Sequence, residues 1–379
     1  MQSTKRIHTL PIVAAIAMFA SAAQADTVVK IGHAAPLTGE IAHLGKDQEN
    51  GARLAVEEIN KKGLTIAGQK VTLELDAQDD AADPRIATQV AQKLVDDKVA
   101  VVIGHLNSGT SIPASKIYSD AGIAQISPAA TNPQYTLQGF KTTFRVVSTD
   151  AQQGPALANY AIKTLKVKTV AVVDDATAYG KGLADEFEKT AKANGVTVLS
   201  HETTNDKAVD FRAILTKIKG ERPDAIMYGG MDATGGPFVR QAKQLAIKAK
   251  VFEGDGACTE KLSELAGQGT DNVICSQPGM ALSKMPGGPA FEQRYVARFK
   301  QPVQIYAPFA YDAVYIAVDA MKRANSTDPA KILAVMPSTR YNGISGLTQF
   351  DAKGDLKTPV ISLYHYTGGK KSLLDVVTM

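Results

Sequence analysis

The sequence has little net charge, only two cysteines and a single long apolar run. Its 379 residues include 42 lysines and arginines and 38 aspartates and glutamates, which leaves a net charge of +4. The basic excess of a typical nucleic-acid-binding protein is therefore missing. A mean hydropathy of −0.10 does not suit a protein that crosses a membrane many times. Hydrophobic residues make up 44% of the chain, as in globular proteins, and the length predicts two or three domains.

Motifs of the common enzyme classes are missing as well. The chain has no GxxxxGKS/T phosphate loop, GxSxG elbow, HExxH zinc motif or CxxC pair, and Gly254-Asp255-Gly256 lacks the rest of a dinucleotide-binding fingerprint. The six histidines share no spacing typical of metal ligands, and we expect His105 to be a packed or hydrogen-bonded residue. We expect the acidic cluster at residues 79–83 to cap a helix that begins at Pro84. We therefore predict no catalytic residue, no metal and no cofactor.

The apolar run at the N-terminus has the three parts of a secretory signal peptide. Lys5 and Arg6 are followed by the apolar stretch Leu10–Ala20 and by the small-residue site Ala23-Gln24-Ala25. Eleven apolar residues are too few to span a bilayer as a helix, although a buried N-terminal helix is an alternative. The pattern predicts that residues 1–25 are a signal peptide and that the mature protein lies in a periplasm.

The two cysteines, Cys258 and Cys275, lie in the predicted mature chain. In an oxidising compartment an even number of cysteines favours a disulfide. Two free buried thiols are the alternative. Spacing alone does not decide between them, because a disulfide needs Cα atoms within about 7 Å of each other.

Short runs of β-branched residues alternate with helical patterns, and this alternation occurs once in each half of the chain. The predicted strands are residues 28–32, 70–76, 100–103 and 123–126 in the first half and 169–173, 196–199, 225–228 and 251–252 in the second. The intervening segments have the 3.6-residue apolar period of helices. Such βαβ repetition predicts two α/β units, each with a parallel sheet and helices on both faces. After residue 279 we expect helices at 289–299, at 307–323 and after Asp328, followed by short strands at 347–350, 360–364 and the C-terminus.

Polar residues follow several of the predicted strands. In open α/β sheets ligands bind beyond the carboxyl ends of the strands. In the first half, residues 105–110 and 127–131 could hold a carboxylate with hydroxyl and N–H groups, and simple helix capping is an equally good explanation. In the second half, residues 174–179, 229–232 and 254–256 follow strands. Two units that face each other would form a cleft with an anion site on one side and a carboxylate on the other, which suits a zwitterion.

At these residues the chain resembles the periplasmic branched-chain amino-acid binding proteins of the leucine/isoleucine/valine type, the extracytoplasmic receptors of ABC importers. The order and spacing of short segments across the whole mature chain carry the resemblance. These segments are Ala35-Pro36-Leu37-Thr38-Gly39, Asn50-Gly51-Ala52, residues 102–106, Ser127-Pro128-Ala129-Ala130-Thr131-Asn132-Pro133, Gln153-Gly154-Pro155, Tyr179-Gly180-Lys181-Gly182, Tyr228-Gly229-Gly230 and residues 350–356. The resemblance implies an α/β fold of two doubly wound parallel-sheet lobes joined by a three-crossing hinge, that of a type I periplasmic binding protein. The implied boundaries are 26–148 plus 280–358 for lobe 1 and 149–279 plus 359–379 for lobe 2.

The resemblance also implies roles for individual residues. Ser108 and Thr131 would donate hydroxyl hydrogen bonds to the carboxylate of an amino acid. The Ala129 carbonyl would accept a hydrogen bond from its ammonium group. Tyr179, from the other lobe, would reach the carboxylate when the lobes close, and Asp255 would pair with the ammonium.

The side-chain pocket implied by the resemblance is aliphatic. Its predicted lining residues are Leu44, Leu106, Met231 and Tyr306. Leu44 and Met231 occupy positions that are often aromatic in the enteric branched-chain proteins. Ala82 and Asn107 stand where those proteins have a disulfide, so that bond is absent here, and the pair of Cys258 and Cys275 is a candidate substitute.

The sequence therefore predicts a monomeric periplasmic receptor that binds leucine, isoleucine or valine and delivers it to an ABC transporter permease. It predicts no chemistry and no nucleic-acid partner. The main alternative is a receptor for another small amino acid or an amide-type solute, and Asp255 discriminates between the two because amides have no ammonium group. An exported enzyme and a ligand-sensing domain for a signalling partner are further alternatives.

Overall fold

The structure, a computed structural model, describes residues 27–378. The predicted signal peptide, residues 1–25, lies outside them. Within residues 27–378, no helix has both the length and the apolar character needed to cross a membrane.

The first part of the chain forms a six-stranded sheet with helices on both faces. Its elements are β1 Thr27–Ala35, α1 Ala42–Lys62, β2 Leu64–Ile66, β3 Gln69–Asp79, α2 Pro84–Asp96, β4 Val101–Gly104, α3 Ser108–Asp120, β5 Ala124–Ser127, α4 Gln134–Leu137 and β6 Thr143–Arg145. The strand order is β2-β3-β1-β4-β5-β6, and only β2 runs antiparallel to its neighbour. The carboxyl ends of β1, β4 and β5 therefore lie at one edge of the sheet.

The second part of the chain repeats this arrangement. Its elements are α5 Asp150–Lys163, β7 Thr169–Asp174, α6 Ala178–Ala193, β8 Thr197–Thr203, α7 Arg212–Glu221, β9 Ala225–Gly229, α8 Asp232–Gln244, β10 Lys250–Glu253, α9 Glu260–Ala266 and β11 Val273–Gln277. The five strands are parallel to one another. The sheet is buried on both faces, since separate apolar clusters pack on its two sides.

The last part of the chain completes both sheets. Its elements are α10 Gly288–Phe299, α11 Ala307–Ala324, α12 Pro329–Val335, β12 Arg340–Asn342, β13 Leu347–Gln349, β14 Val360–Thr367 and β15 Lys370–Thr378. Helices α10, α11 and α12 belong to the apolar core of the first sheet. Strands β14 and β15 extend the second sheet to seven strands, in the order β15-β14-β11-β10-β9-β7-β8. We call the first sheet with α1–α4, α10–α12, β12 and β13 lobe 1, and the second sheet with α5–α9 lobe 2.

Each sheet has a hairpin at one edge, and neither hairpin was predicted from the sequence. β2 is joined to β3 by Ala67-Gly68, and β14 to β15 by Gly368-Gly369, and all four residues have positive φ. A two-residue turn of this kind joins antiparallel strands. Each mainly parallel sheet therefore has an antiparallel edge.

The chain passes between the lobes three times, through residues 146–149, 278–287 and 350–359. Ser148, in the first crossing, bonds to the start of the second crossing and to the residue that follows the third. Its N–H donates to the Pro278 carbonyl at 3.0 Å, while its hydroxyl donates to the Val360 carbonyl at 2.8 Å and accepts from the Val360 N–H at 3.1 Å.

The acidic cluster near Pro84 caps the start of α2, as predicted. The Asp83 carboxylate accepts from the N–H groups of Arg85 and Ile86. Asp80 accepts from the Ala82 N–H and lies 2.7 Å from Nδ1 of the buried His105. His105 is therefore held inside lobe 1 by hydrogen bonds, as the sequence analysis expected.

Candidate functional site

A cavity lies between the lobes at the carboxyl ends of their strands. Its empty space is about 190 Å³, part of it open to solvent. It is lined by Leu106, Asn107, Ser108, Ala129, Tyr179, Met231, Asp255 and Tyr306. Seven of the nine residues predicted from the sequence are among these. Leu44 and Thr131 are not, although both are buried in lobe 1, and Asn107 lines the cavity without having been predicted to bind ligand.

Lobe 1 supplies hydroxyl groups and a helix N-terminus. Ser108 is the first residue of α3, and its Oγ accepts from the Asn132 N–H at 3.1 Å. Thr131 is buried, and its hydroxyl has no hydrogen-bond partner in the described part of the chain. Polar groups at a helix N-terminus favour an anion, so this side of the cavity suits a carboxylate.

Lobe 2 supplies the buried carboxylate of Asp255, a residue that is only 1% exposed. Its Oδ1 accepts from the Tyr179 hydroxyl at 3.0 Å and from Gln153 Nε2 at 2.8 Å. Its Oδ2 accepts from the Tyr306 hydroxyl of lobe 1 at 2.6 Å. Burial raises the pKa of Asp255, and the hydrogen bonds from Tyr306, Gln153 and Tyr179 oppose that rise.

Two glycines allow this dense packing around Asp255. A Cβ atom on Gly254 would lie 2.4 Å from the Tyr179 hydroxyl, and one on Gly256 would lie 2.4 Å from Met231 Sδ. Both distances are far below van der Waals contact, so a larger residue at either position would displace a lining side chain. The glycines on either side of Asp255 therefore have a packing role at the cavity.

A second buried carboxyl group, Asp150, lies behind Asp255. Gln153 Nε2 is 3.4 Å from Asp150 Oδ1 and bonds Asp255 as well, while the Ser276 hydroxyl donates to Gln153 Oε1. Burial and the negative charge of Asp255 raise the pKa of Asp150 well above its usual range. Gln153 was not among the predicted site residues, although its Gln-Gly-Pro segment contributed to the resemblance.

The apolar wall of the cavity belongs to one cluster. Its buried members are Ala35, Leu44, Leu106, Ala129, Ile305 and Tyr306, with Leu37 and Met231 packed against them. Leu44 is fully buried in this cluster, so it supports the wall from behind.

Arg145 positions the loop that carries Ala129 and Thr131. Its guanidinium is fully buried and donates to the carbonyls of Ala130 and Asn132 at 2.8 and 3.0 Å. It also donates to Asp355 Oδ1 at 2.8 Å, which balances its charge. This bond joins the site loop to the third crossing.

The lobes also contact each other beside the cavity. His43 Nε2 in lobe 1 lies 2.7 Å from Asp232 Oδ2 in lobe 2. Asn132 Nδ2 donates to the Ala178 carbonyl across the cleft. With the bond between Tyr306 and Asp255, these contacts join the two lobes.

The structure joins Cys258 and Cys275 in a disulfide, with Cα atoms 5.4 Å apart. It links the segment just after Asp255 to β11, so it fixes the Asp255 loop to the second sheet. Among the described residues, no group of three or more histidine, cysteine, aspartate and glutamate side chains is arranged to hold a metal ion.

Comparisons with known proteins agree with this geometry. The family described as "Periplasmic binding protein" matches residues 28–369. The leucine-, isoleucine-, valine-, threonine- and alanine-binding protein of Pseudomonas aeruginosa is 34% identical over 365 residues, which cover 96% of this chain and 97% of the relative. Two solved structures, each 29% identical, are the leucine-binding protein LivK of Thermotoga maritima and LivJ of Streptococcus pneumoniae in complex with isoleucine. The first has a TM-score of 0.86 and covers 92% of this chain and 98% of LivK. The second has a TM-score of 0.84 and covers 93% of this chain and 100% of LivJ. The chain therefore belongs to the periplasmic binding protein family, and its fold is that of a type I member.

Proposed function

We propose that this protein is a periplasmic receptor that binds the branched-chain amino acids leucine, isoleucine and valine between its lobes and delivers them to an ABC importer. One observation carries the proposal: the buried carboxylate of Asp255 in lobe 2 and the hydroxyl of Ser108, at the N-terminus of α3 in lobe 1, line the same cavity. An α-amino acid has a positive and a negative group on one carbon atom and thus matches both sides.

In this proposal the ligand carboxylate takes hydrogen bonds from Ser108 and Thr131. The ammonium group pairs with Asp255 and donates to the Ala129 carbonyl. The Tyr179 hydroxyl donates to Asp255 and accepts from the Gly256 N–H at 2.9 Å. Tyr179 therefore orients the acidic residue, and it reaches the ligand carboxylate only if its hydroxyl rotates away.

The aliphatic side chain of the ligand packs against Leu106, Met231 and Tyr306, with Leu44 behind them. One methylene is worth about 1–3 kcal/mol in such a pocket, so discrimination among leucine, isoleucine and valine is modest. A charged side chain is rejected, because an unpaired charge is strongly unfavourable in an apolar cavity.

Binding is coupled to closure of the lobes, since the ligand touches lobe 1 and lobe 2 together only when they are close. Residues 26–148 plus 280–358 and residues 149–279 plus 359–379 move as two bodies about the three crossings. The closed monomer is the form that the transporter permease recognises. The names of the Pseudomonas relative and of the Streptococcus complex support the ligand class.

Isothermal titration calorimetry against the twenty standard amino acids tests the proposal. We expect leucine, isoleucine and valine to bind and glutamate and lysine not to bind. Truncation of one partner of a buried charge pair is typically unfavourable by about 2–5 kcal/mol, so Asp255→Ala weakens leucine binding by roughly 30-fold to several thousand-fold.

Asp206→Ala is the matched control, because Asp206 is an exposed acidic residue of lobe 2. Asp255→Asn keeps the size of the side chain and removes its charge, so it separates loss of the ion pair from loss of packing. If both Asp255 variants bind leucine within threefold of the parent, the ammonium partner lies elsewhere and the amino-acid assignment is wrong.

A further inference from the structure

We infer that Gln153, held in place by Ser276, is a positioning residue that fixes the Asp255 carboxylate in the orientation and charge state that take the ammonium group of the ligand. This inference rests on the proposed function and deepens it, because it adds to the amino-acid site two residues that are not among those lining the cavity. Its basis is a chain of two hydrogen bonds between buried side chains.

The neighbours of Gln153 determine which end of its amide group faces Asp255. The Ser276 hydroxyl donates to Gln153 Oε1 at 2.8 Å, and Gln153 Nε2 donates to Asp255 Oδ1 at the same distance. A rotated amide would bring its oxygen against the Asp255 carboxylate, and two groups that only accept hydrogen bonds repel each other. The amide N–H of Gln153 therefore points to Asp255.

Three elements of lobe 2 hold this chain of hydrogen bonds. Gln153 lies in α5 and Ser276 in β11, and Asp255 follows β10, which is the parallel neighbour of β11. Gln153 and Ser276 are both fully buried. Asp255 therefore has a support that lies entirely within lobe 2, unlike its bond to Tyr306 across the cleft.

The hydrogen bonds of Asp255 leave room for one more donor. An ionised carboxylate has about four acceptor positions, two on each oxygen. Tyr179 and Gln153 take two positions on Oδ1, and Tyr306 takes one on Oδ2. The ammonium group of the ligand can then take the fourth position, on Oδ2. Gln153 thus helps to reserve one oxygen for the support and the other for the ligand.

Gln153 also helps Asp255 to keep its negative charge. Burial raises the pKa of Asp255, and the hydrogen bonds from Tyr306, Gln153 and Tyr179 lower it. Loss of the Gln153 donor therefore raises the pKa of Asp255. Leucine affinity should then begin to fall at a higher pH as acid is added, since a protonated Asp255 has no charge to pair with the ammonium group.

The other titratable groups around Asp255 do not replace it as the charged partner. Burial and the charge of Asp255 raise the pKa values of Tyr179 and Tyr306 well above their usual range, so both remain protonated. Burial and the charge of Asp255 likewise raise the pKa of Asp150, against the positive charge of Arg145. Asp150 is therefore protonated where Asp255 is ionised.

Calorimetry with leucine from pH 4.5 to pH 8.5, in the parent and in Gln153→Met, tests the inference. Methionine has nearly the length of glutamine and cannot donate a hydrogen bond. At pH 8.5 we expect Gln153→Met to bind leucine about 5- to 100-fold more weakly, because a hydrogen bond to a charged group is lost. We also expect the pH at which the affinity has fallen tenfold from its value at pH 8.5 to be about one unit higher than in the parent.

Ser276→Ala is the second variant, and it removes a single oxygen atom. The Gln153 amide then loses the bond that holds it, so we expect a shift of the pH profile in the same direction but smaller. Ser276→Ala decides the question if Gln153→Met does not fold, as judged by circular dichroism.

Gln241→Met is the matched control, because Gln241 is a buried glutamine of α8 in the same lobe. Its Oε1 accepts from the Phe211 N–H and its Nε2 donates to the Val209 carbonyl, both at 2.8 Å. The substitution breaks buried hydrogen bonds away from Asp255. We expect it to leave the leucine dissociation constant within threefold of the parent at every pH.

Coincident pH profiles of the parent and the folded Gln153 variant overturn the inference, even where the affinities differ. The same shift in Gln241→Met overturns it as well, because the effect would then come from loss of stability alone. If the parent does not bind leucine, or if Asp255→Asn binds leucine as tightly as the parent, the proposed function itself is wrong.

Discussion

Asp47 shows how one buried side chain positions a residue of the cavity. Its Oδ2 accepts from the N–H groups of Ile305, Tyr306 and Ala307 at 2.8–3.1 Å. Its Oδ1 accepts from the Gln304 N–H and from the Tyr295 hydroxyl. The carboxylate therefore caps α11 from another helix, α1, and fixes Tyr306 beside Asp255.

We expect Asp47→Asn to lower the free energy of unfolding by about 2–4 kcal/mol. The new amide group would place N–H donors against N–H donors, and each buried donor left without a partner is unfavourable by about 1–3 kcal/mol. Leucine binding should weaken as well, because Tyr306 loses its anchor. Urea unfolding and calorimetry measure both effects, with the exposed Asp206→Asn as control. Equal stability of the two variants would contradict this role.

For individual residues, the sequence predicts those that follow strands, but it does not predict the buried residues that hold them in place. Ser108, Ala129 and Asp255 could be found because strand ends converge in an α/β sheet. Asp47 lies in an amphipathic helix, and its partners are 248 to 260 residues away, so no local pattern marks it. Arg145 is similar, since a buried cation is recognised only when its acceptors are known.

Among the elements, the three crossings form the region about which the proposed lobe movement would occur, and Ser148 in the first crossing bonds to residues at the other two. We expect Ser148→Ala to lower the free energy of unfolding by about 1–2 kcal/mol, since it loses two hydrogen bonds worth about 1 kcal/mol each. We also expect a larger radius of gyration without ligand than in the parent, measured by small-angle scattering, and a similar value with saturating leucine.

Ser263→Ala is the matched control for Ser148, because the Ser263 hydroxyl is buried and has no partner in the structure described here. It removes the same atom and breaks no hydrogen bond. Identical stability and scattering of the two variants would show that the Ser148 hydroxyl does not restrain the crossings.

The elements themselves were largely predictable from the sequence, since long periodic helices and buried β-branched strands have strong signals. The elements that were missed are short. β6 has only three residues, with polar residues at both ends, and β11 follows a 3₁₀ segment at residues 267–272 without an apolar alternation. β2 has three residues and depends on its hairpin with β3. These strands form because a neighbouring strand offers hydrogen bonds, which the local sequence does not show.

At the scale of the whole molecule, the buried His33 makes the free energy of unfolding depend on pH. It is fully buried in lobe 1, and neither ring nitrogen has a hydrogen-bond partner in the described chain. Burial lowers its pKa to about 4, against the opposing charges of Glu49 and Asp80 and with a smaller lowering effect of His105. Between pH 6.5 and 4 the unfolded chain therefore binds a proton that the folded chain does not, so acid favours unfolding.

We expect His33→Gln to remove this contribution, which reaches roughly 3 kcal/mol near pH 4. Asp175 and Asp312 have pKa values raised by burial to about 6, so they stabilise the folded state over part of the same range as pH falls. The quantity to compare is therefore the difference in free energy of unfolding between parent and variant at each pH. The contributions of Asp175 and Asp312 are the same in both proteins and drop out of this difference. Urea unfolding from pH 7.5 to 4.5 measures it. A constant difference across this range would contradict the prediction.

The three crossings have a consequence for the order in which the protein can fold. α11 fills the core of the first sheet, and β14 and β15 complete the second, so neither lobe is a continuous stretch of chain. A nascent chain that has reached residue 280 holds most of both sheets but neither complete core. Neither lobe can therefore complete its core while the first 280 residues are being made: the core of lobe 1 waits for α11, and the second sheet waits for β14 and β15.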